Sequence, residues 1–188
     1  RDSLFKHQLK HNAVILSVTF RLPKLWQPVT SYGELAQLER PTPADIMNKV
    51  IAIRSAKLPD PKVLGNAGSF FKNPIVPREV ADRLFGEFEN MPCYQVDDEH
   101  VKLAAGWLIG KGGLKGKSVG GISVHERQAL VLVNSSGHAD GQALIDLVRF
   151  IRKTILAQFD VLLEPEVRLI GRDGEVARFE RYEGLTHD

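Results

Sequence analysis

The chain has 188 residues, of which 43% are hydrophobic, and a formal net charge of +2 at pH 7. This length supports one sizeable domain or two small ones, each with an apolar core. The balanced charge lacks the clustered basic stripe typical of nucleic-acid-binding domains. No apolar run approaches the roughly 18 residues that would span a bilayer. The composition therefore predicts a globular protein without a nucleic-acid or membrane partner.

The single cysteine, Cys93, excludes a disulfide within the chain and is typical of a reducing compartment. No signal peptide is visible, so we predict a cytoplasmic location. The sequence opens with Arg1 instead of methionine and enters a strand pattern within a dozen residues. Natural chains usually carry some slack before their first element, so we expect a fragment whose upstream part is missing.

Two elements are predicted in the first third of the chain. Residues 13–22, AVILSVTFRL, alternate in hydrophobicity with the period of a half-buried strand. A helix is predicted after it, because Thr42 can cap a helix and Pro43 is tolerated in its first turn. The segment LPDPK forbids continuation beyond about Lys57. This proline-rich break is the candidate domain boundary.

The remaining elements mix helices and strands without strict alternation. In chain order we predict a short helix over 77–88, a helical piece over 102–109, two short strands or a strand and a buried run over 118–134, the longest helix over 140–158, and a C-terminal hairpin of strands 161–170 and 175–182. A parallel doubly wound sheet would require regular alternation. The fold class predicted is α+β, with antiparallel or mixed sheets and packed helices.

The sequence gives little support for a metal site or a reactive thiol. Of the six histidines, only His7 and His11 have a spacing suited to a metal, and both precede the first strand as solvated loop residues. Cys93 lacks a flanking signature of a nucleophile. The segment GKGGLKGKSVGG is rich in glycine but lacks the spacing of a phosphate-binding loop. We therefore predict no metal and no Walker-type nucleotide site.

Two polar residues lie in unusual settings. Ser69, in NAGSFFKNP, follows Gly65 and Gly68, which would let a ligand approach a hydroxyl that can deliver a proton. The alternative is an ordinary turn serine. Glu166, in LEPEVRLI, shares a strand face with Glu164 if that strand is regular. The alternative for this pair is an edge strand with both carboxylates facing water.

Four segments in the same order resemble the UDP-N-acetylenolpyruvoylglucosamine reductase family: RDSLFKH, LPDPKVLGNAGSFFKNP, VKLAAGWLI and LEPEVRLIG. The resemblance covers almost the whole chain but only the C-terminal half of the family's proteins, whose N-terminal FAD-binding region has no counterpart here. It implies three parts: residues 1–58 as the end of the FAD-binding domain, residues 59–168 as the substrate-binding domain, and residues 169–188 as a strand returning to the first domain.

The resemblance also implies the chemistry. The family's enzymes pass a hydride from NADPH to FAD and then to UDP-N-acetylglucosamine enolpyruvate, giving UDP-N-acetylmuramate for peptidoglycan synthesis. Ser69 matches the family's proton donor, and the two phenylalanines after it would help to exclude water. Arg1 and Glu166 match the arginine and glutamate that flank the substrate carboxylate. The other matched positions are contacts to the UDP-sugar or to the phosphates of NADPH: Tyr32, Arg54, Lys57, Asn73, Lys115 and Gln128.

Without the resemblance, Lys57 and Lys115 would be interpreted as solvated lysines and Tyr32 as a packed loop aromatic. Two hypotheses follow. In the first, the chain is the substrate-binding half of a reductase, its partner is the missing N-terminal region, and the chain alone is inactive because the cofactors carry the hydride chemistry. In the second, it is a stand-alone nucleotide-sugar binding module without catalysis. A purely structural role is a third possibility.

Overall fold

The computed structural model describes residues 3–10, 12–172 and 174–175. The chain divides into two compact units, Arg1–Val50 and Ile51–Asp188. Helix α1, Pro43–Lys57, runs through the end of the first unit into the second. No helix in the described ranges is both long enough and apolar enough to cross a bilayer.

The first unit has little regular structure before α1. It contains two short 3₁₀ helices, Leu4–Lys6 and Gly33–Gln37. The predicted strand over residues 13–22 is wrong for this structure, because the segment has no regular secondary structure and its apolar side chains are exposed, with Val14 at 83% and Leu16 at 92%. No strand among the described residues pairs with it. A strand needs a neighbour for its N–H and C=O groups, which an alternating pattern alone does not supply.

Helix α1 begins and ends where the sequence predicts. The Thr42 hydroxyl accepts a hydrogen bond from the Asp45 backbone N–H (3.2 Å), and the Asp45 carboxylate accepts one from the Thr42 N–H (2.8 Å). This reciprocal pair satisfies donors at the helix start, as in a capping box. The helix ends at Lys57, directly before the proline-rich segment. The predicted helix is therefore confirmed at both ends.

The second unit contains two main antiparallel sheets. The first has the strand order β1 (Asn66–Ser69), β7 (Val131–Asn134), β6 (Ile122–Val124), β5 (Ser118–Val119). The second has the order β2 (Ile75–Pro77), β4 (His100–Leu103), β3 (Cys93–Gln95). A two-stranded hairpin is formed by β8 (Ile170–Gly171) and β9 (Gly174–Glu175). The neighbouring strands pair antiparallel throughout.

Three helices complete the unit: α2 (Arg78–Glu87) packs on the second sheet, α4 (Gly141–Phe159) packs on the first, and α3 (Ala105–Lys111) packs on α4. Both α2 and α4 confirm the predicted helices. The core is contiguous, and side chains from several elements are fully buried in it: Leu103 on β4, Leu108 on α3, Ile151 and Ile155 on α4, and Leu163 after α4. The α+β class is therefore confirmed.

Two predicted elements near the site differ from the structure. The helical piece over 102–109 is wrong at its start, because Lys102 and Leu103 belong to β4 and the helix begins at Ala105. Residues 161–169 form no regular strand and make a single β-bridge, which joins Pro165 to Phe71. Pro165 has no N–H to donate, which limits a regular ladder. The predicted strand 175–182 lies, beyond Glu175, outside the described residues.

The hairpin between β5 and β6 turns on two glycines, Gly120 and Gly121, with φ of +55° and +85°. Both values fit a primed two-residue turn, which side chains with a Cβ adopt only at a cost. A Cβ on Gly121 would also collide with Oγ of Ser136 and lie 2.7 Å from its Cβ. Backbone conformation and side-chain packing therefore both restrict this turn to glycine.

Replacing Gly121 by Ala is expected to lower the free energy of unfolding by about 2–3 kcal/mol, which combines the left-handed backbone cost with the collision. Gly113→Ala is the matched control, because Gly113 has φ of +72° but an added Cβ there meets no atom within 4 Å. We expect it to lose about 1 kcal/mol from the backbone alone. Urea unfolding of the two variants measures the difference, and equal losses would contradict the packing argument.

Candidate functional site

Ser69 lies at the end of β1, and its side chain is exposed. The strand bends just before it, because the Asn66 side-chain oxygen accepts a hydrogen bond from the Gly68 N–H (3.0 Å) and Gly68 adopts φ of +74°. The pairing register with β7 shifts across this stretch. The glycine therefore allows an irregular strand end that presents the serine hydroxyl to solvent.

The two phenylalanines after Ser69 anchor the strand in the core. Phe70 is 2% exposed and Phe71 is 1% exposed, and their rings meet edge to face with centroids 5.1 Å apart. The resemblance implied that these rings help to keep water from the serine, which stays a prediction. In this structure they are packed within the core while Ser69 is exposed, so they anchor the end of the strand.

The segment that carries Glu166 lies beside the segment that carries Ser69. The Glu166 N–H donates to the Phe70 carbonyl (2.7 Å), and the Lys72 N–H donates to the Glu164 carbonyl (2.9 Å). The Lys72 ammonium also pairs with the Glu164 carboxylate at 2.9 Å. Glu164 and Glu166 are both exposed. The backbone bonds thus place Glu166 against the residue that follows Ser69.

Gln128 belongs to a loop on the other side of β1. Val131 pairs with Ser69 across the β1–β7 ladder, and its N–H donates to the Gln128 carbonyl (2.9 Å). The Phe70 N–H donates to the Leu130 carbonyl in the same loop (2.7 Å). Gln128 itself is half-buried. Three segments therefore meet around the end of β1: residues 66–73, residues 125–131 and residues 163–167.

Asn73 connects this region to helix α3. Its side-chain oxygen accepts a hydrogen bond from the N–H of Ala105, the first residue of the helix, at 3.0 Å. This bond satisfies one of the donors that every helix start leaves without an intrahelical partner. The amide nitrogen of Asn73 is thus the group that remains to donate to a ligand.

The predicted cations lie on other elements of the second unit. Arg54 and Lys57 are exposed in the last turn of α1, and Lys115 is exposed after α3, where its stem passes close to Gly110. The end of α1 is tied towards β1 by a hydrogen bond from the Asn66 amide to the Pro59 carbonyl (3.4 Å). Arg54, Lys57 and Lys115 thus lie on separate segments from Ser69, and their convergence on one ligand stays a prediction.

Two predicted site residues, Tyr32 and Arg1, do not belong to the three segments that meet around the end of β1. Tyr32 lies in the first unit and is 85% exposed directly before the 3₁₀ helix Gly33–Gln37. Arg1 lies outside the described residues. Sequence reasoning also missed His125, whose ring accepts hydrogen bonds within the loop of Gln128. The spacing of HERQ gives no signal for this role, since a single histidine in a turn is usually solvated.

A shallow depression of about 360 Å³ lies at the opposite edge of the first sheet, at the start of α4. It is lined by Val119, Gly120, His138, Ala139, Asp140, Gln142, Ala143 and Asp146. None of the predicted site residues belongs to it. Within the part of the chain that the structure describes, no three His, Cys, Asp or Glu residues group together as metal ligands.

The fold and the site define an α+β domain in which an exposed serine and a glutamate lie on adjacent, hydrogen-bonded segments. The family model described as UDP-N-acetylenolpyruvoylglucosamine reductase, C-terminal domain, matches residues 60–170. The chain belongs to this family. The matched range contains Ser69, Glu166 and the three segments that meet around β1.

Curated relatives named UDP-N-acetylenolpyruvoylglucosamine reductase support this membership. The chain is 52% identical to one from Pseudoalteromonas atlantica, over 94% of this chain and 51% of the relative. It is 50% identical to one from Pectobacterium atrosepticum, over 96% of this chain and 52% of the relative, and 49% identical to one from Escherichia coli K12, over 96% and 53%. The chain therefore spans about half the length of the curated relatives it matches.

Proposed function

We propose that this chain supplies the substrate-binding and proton-donating part of a reductase that converts UDP-N-acetylglucosamine enolpyruvate to UDP-N-acetylmuramate in peptidoglycan synthesis. The observation that carries the proposal is the pairing of the segments of Ser69 and Glu166 within the range that the family model matches. We assign residues 1–58 to the end of an FAD-binding domain, residues 59–168 to the substrate-binding domain, and residues 169–188 to a return towards the first domain.

FAD and NADPH are the cofactors of the proposed reaction, and when bound they supply the hydride that reaches the substrate. The end of β1 leaves room for a bound group, because a Cβ added at Gly68 would meet no heavy atom within 4 Å and Ser69 beside it is exposed. The proposal assigns most FAD contacts to the N-terminal region of the relatives that this chain does not match.

The residues of this chain complete the chemistry at the substrate. Adding a hydride to one alkene carbon leaves negative charge on the other carbon and on its carboxylate. The Ser69 hydroxyl donates its proton to that second carbon. Arg1 pairs with the carboxylate, since a guanidinium fork matches its two oxygens. Glu166 acts beside the carboxylate in its protonated or hydrogen-bonded form, because a bare carboxylate there would repel it.

The remaining polar residues bind the nucleotide-sugar or the phosphates of NADPH. Arg54, Lys57 and Lys115 supply positive charge, while Asn73 and Gln128 supply amide donors. We also assign Tyr32 to this set. Cations on separate segments suit a diphosphate, which presents several oxygens in different directions.

The proposed partner of this chain is the N-terminal region of the same protein, on the pattern of the relatives. The exposed apolar side chains of residues 13–22 support this proposal, since an unpaired apolar strand pattern is an aggregation hazard unless something covers it. The single cysteine is typical of a reducing compartment, so we place the reaction in the cytoplasm. We expect no turnover from these 188 residues alone, because they match only about half the length of the relatives and the flavin supplies the hydride.

Calorimetric titration with UDP-N-acetylglucosamine enolpyruvate tests the proposal. The protein titrated is a hybrid reductase, in which this chain replaces the matching half of the Escherichia coli relative. We expect saturable binding that Lys115→Ala weakens about tenfold, through the loss of a charge-assisted contact, and that Ser69→Ala leaves nearly unchanged. A folded hybrid that binds no substrate would refute the proposal. Binding without any turnover would instead favour the stand-alone binding module.

Replacing Asn73 by Asp separates the two uses of this side chain. The variant keeps an oxygen that can accept from the Ala105 N–H, so the thermal midpoint is expected to stay within about 3 °C. It loses the amide donor and adds a negative charge beside a diphosphate, so substrate affinity should fall by about tenfold or more. Asn73→Ala should lower both quantities. An Asp variant with unchanged affinity would remove Asn73 from the binding set.

A further inference from the structure

His125 lies inside the loop that carries Gln128 and holds its backbone. The ring nitrogen Nδ1 accepts hydrogen bonds from the N–H groups of Arg127 (3.3 Å) and Gln128 (3.1 Å). A nitrogen that accepts from N–H donors carries no proton itself, so these two bonds require the ring form in which Nδ1 is unprotonated. The ring is therefore a fixed acceptor within the loop.

Backbone bonds connect this loop to the strand of the proposed proton donor. The His125 N–H donates to the Val131 carbonyl (2.9 Å), and the Val131 N–H donates to the Gln128 carbonyl (2.9 Å). The Phe70 N–H donates to the Leu130 carbonyl (2.7 Å). The bond between His125 and Val131 thus closes the turn, the Leu130–Val131 end lies against the Ser69–Phe70 segment, and the imidazole fixes the middle of the turn.

We propose that His125 is a positioning residue that orients Gln128 for substrate binding, an inference that rests on the function proposed above. The described hydrogen bonds give the Arg127 and Gln128 N–H groups no acceptor other than this ring. Without the acceptor, the half-buried Gln128 N–H would lose its partner, and the turn would open to hydrate it. The Gln128 side chain would then leave the orientation that the closed turn imposes.

Asn is the conservative replacement that preserves this role. Its side-chain oxygen can accept from the N–H two residues ahead, which is the hydrogen bond of an Asx turn. Leu is closer to His in volume than Asn is, but it has no atom that can accept a hydrogen bond. Comparing His125→Asn with His125→Leu therefore tests the acceptor itself, apart from the bulk of the ring.

Nitrogen-15 NMR of the full chain tests directly whether the His125 ring accepts these hydrogen bonds. We expect the imidazole signals of a ring protonated at Nε2 and unprotonated at Nδ1. In His125→Leu the amide hydrogens of Arg127 and Gln128 should exchange about tenfold faster than in the native chain, whereas His125→Asn should retain most of the protection. A native ring protonated at Nδ1, or unchanged exchange in the Leu variant, would overturn the proposal.

A double-mutant cycle on the hybrid reductase tests whether His125 affects substrate binding through Gln128. His125→Leu is expected to raise the dissociation constant for UDP-N-acetylglucosamine enolpyruvate about fivefold, and His125→Asn less than about twofold. If His125 acts through Gln128, His125→Leu should add nothing when Gln128 is already Ala. If the native hybrid binds the substrate but the two substitutions weaken binding additively, the positioning role of His125 is wrong and the proposed function stands. A native hybrid without substrate binding would refute the proposed function, and the positioning role with it.

Discussion

Ser69→Ala in the hybrid reductase is expected to lower kcat by about 10² to 10⁴-fold, the range for loss of a positioned proton donor. The dissociation constant for the substrate should change by less than about threefold, because the hydroxyl is used in the transition state more than in ground-state binding. Stopped-flow oxidation of NADPH with saturating substrate, together with calorimetry, measures the two quantities separately.

Ser118→Ala is the matched control for this experiment. Ser118 is also an exposed serine on a strand of the same sheet, but it lies on the opposite edge strand, where its hydroxyl donates to the Ile122 carbonyl. Its replacement should leave kcat near that of the native hybrid. If Ser69→Ala also turned over within about threefold of the native rate, Ser69 would be an ordinary turn serine.

Phe71→Ala is expected to destabilise the second unit by about 3–5 kcal/mol, because a fully buried ring is replaced by a cavity. A loss of this size is a large part of the roughly 5–15 kcal/mol that holds a typical domain folded. The backbone of Phe71 bridges to Pro165 and its buried ring anchors this backbone, so the same change is expected to loosen the alignment of the Ser69 and Glu166 segments. Urea unfolding of the chain measures the destabilisation.

Two further variants keep this prediction testable if Phe71→Ala does not fold. Phe71→Leu retains most of the apolar volume and should cost about 1–2 kcal/mol. Phe150→Ala removes the same ring from a position that is 39% exposed, where it lies under the Lys117 ammonium, and should cost about 1 kcal/mol. Equal losses at positions 71 and 150 would contradict the assignment of Phe71 to the core.

Helices were the part of the fold that local sequence signals predicted best. The start of α1 depends on Thr42, Pro43 and Asp45, which are neighbours in sequence, and its end depends on the prolines that follow directly. The apolar stripe of α4 likewise repeats within a few residues. The interactions that stabilise these helices join residues within one or two helical turns, so they can be recognised from neighbouring residues in the sequence.

The strands around the site were harder to predict for the opposite reason. β1 consists of Asn66–Ser69, whose sequence NAGS has low strand propensity, and it is a strand because β7 pairs with it. Residues 13–22 show the reverse case, a strong alternating pattern without a described partner strand. Strand formation depends on a neighbour that the segment's own residues do not specify.

The candidate site was predictable by resemblance and not by spacing. Lys72 and Glu164, which help to align the Ser69 and Glu166 segments, are 92 positions apart, and no local pattern links such residues. The motif NAGSFFKNP indicated Ser69, and the structure adds that Phe70 and Phe71 are its anchors in the core. The role of His125 depends on ring geometry that no residue spacing reveals.

The most direct test of the central proposal is the turnover of the hybrid reductase with the native form of this chain. If the chain supplies the substrate site and the proton donor, the folded, flavin-loaded hybrid should oxidise NADPH only when UDP-N-acetylglucosamine enolpyruvate is present, at a rate within about tenfold of the Escherichia coli parent. A folded, flavin-loaded hybrid with no substrate-dependent oxidation would contradict the account.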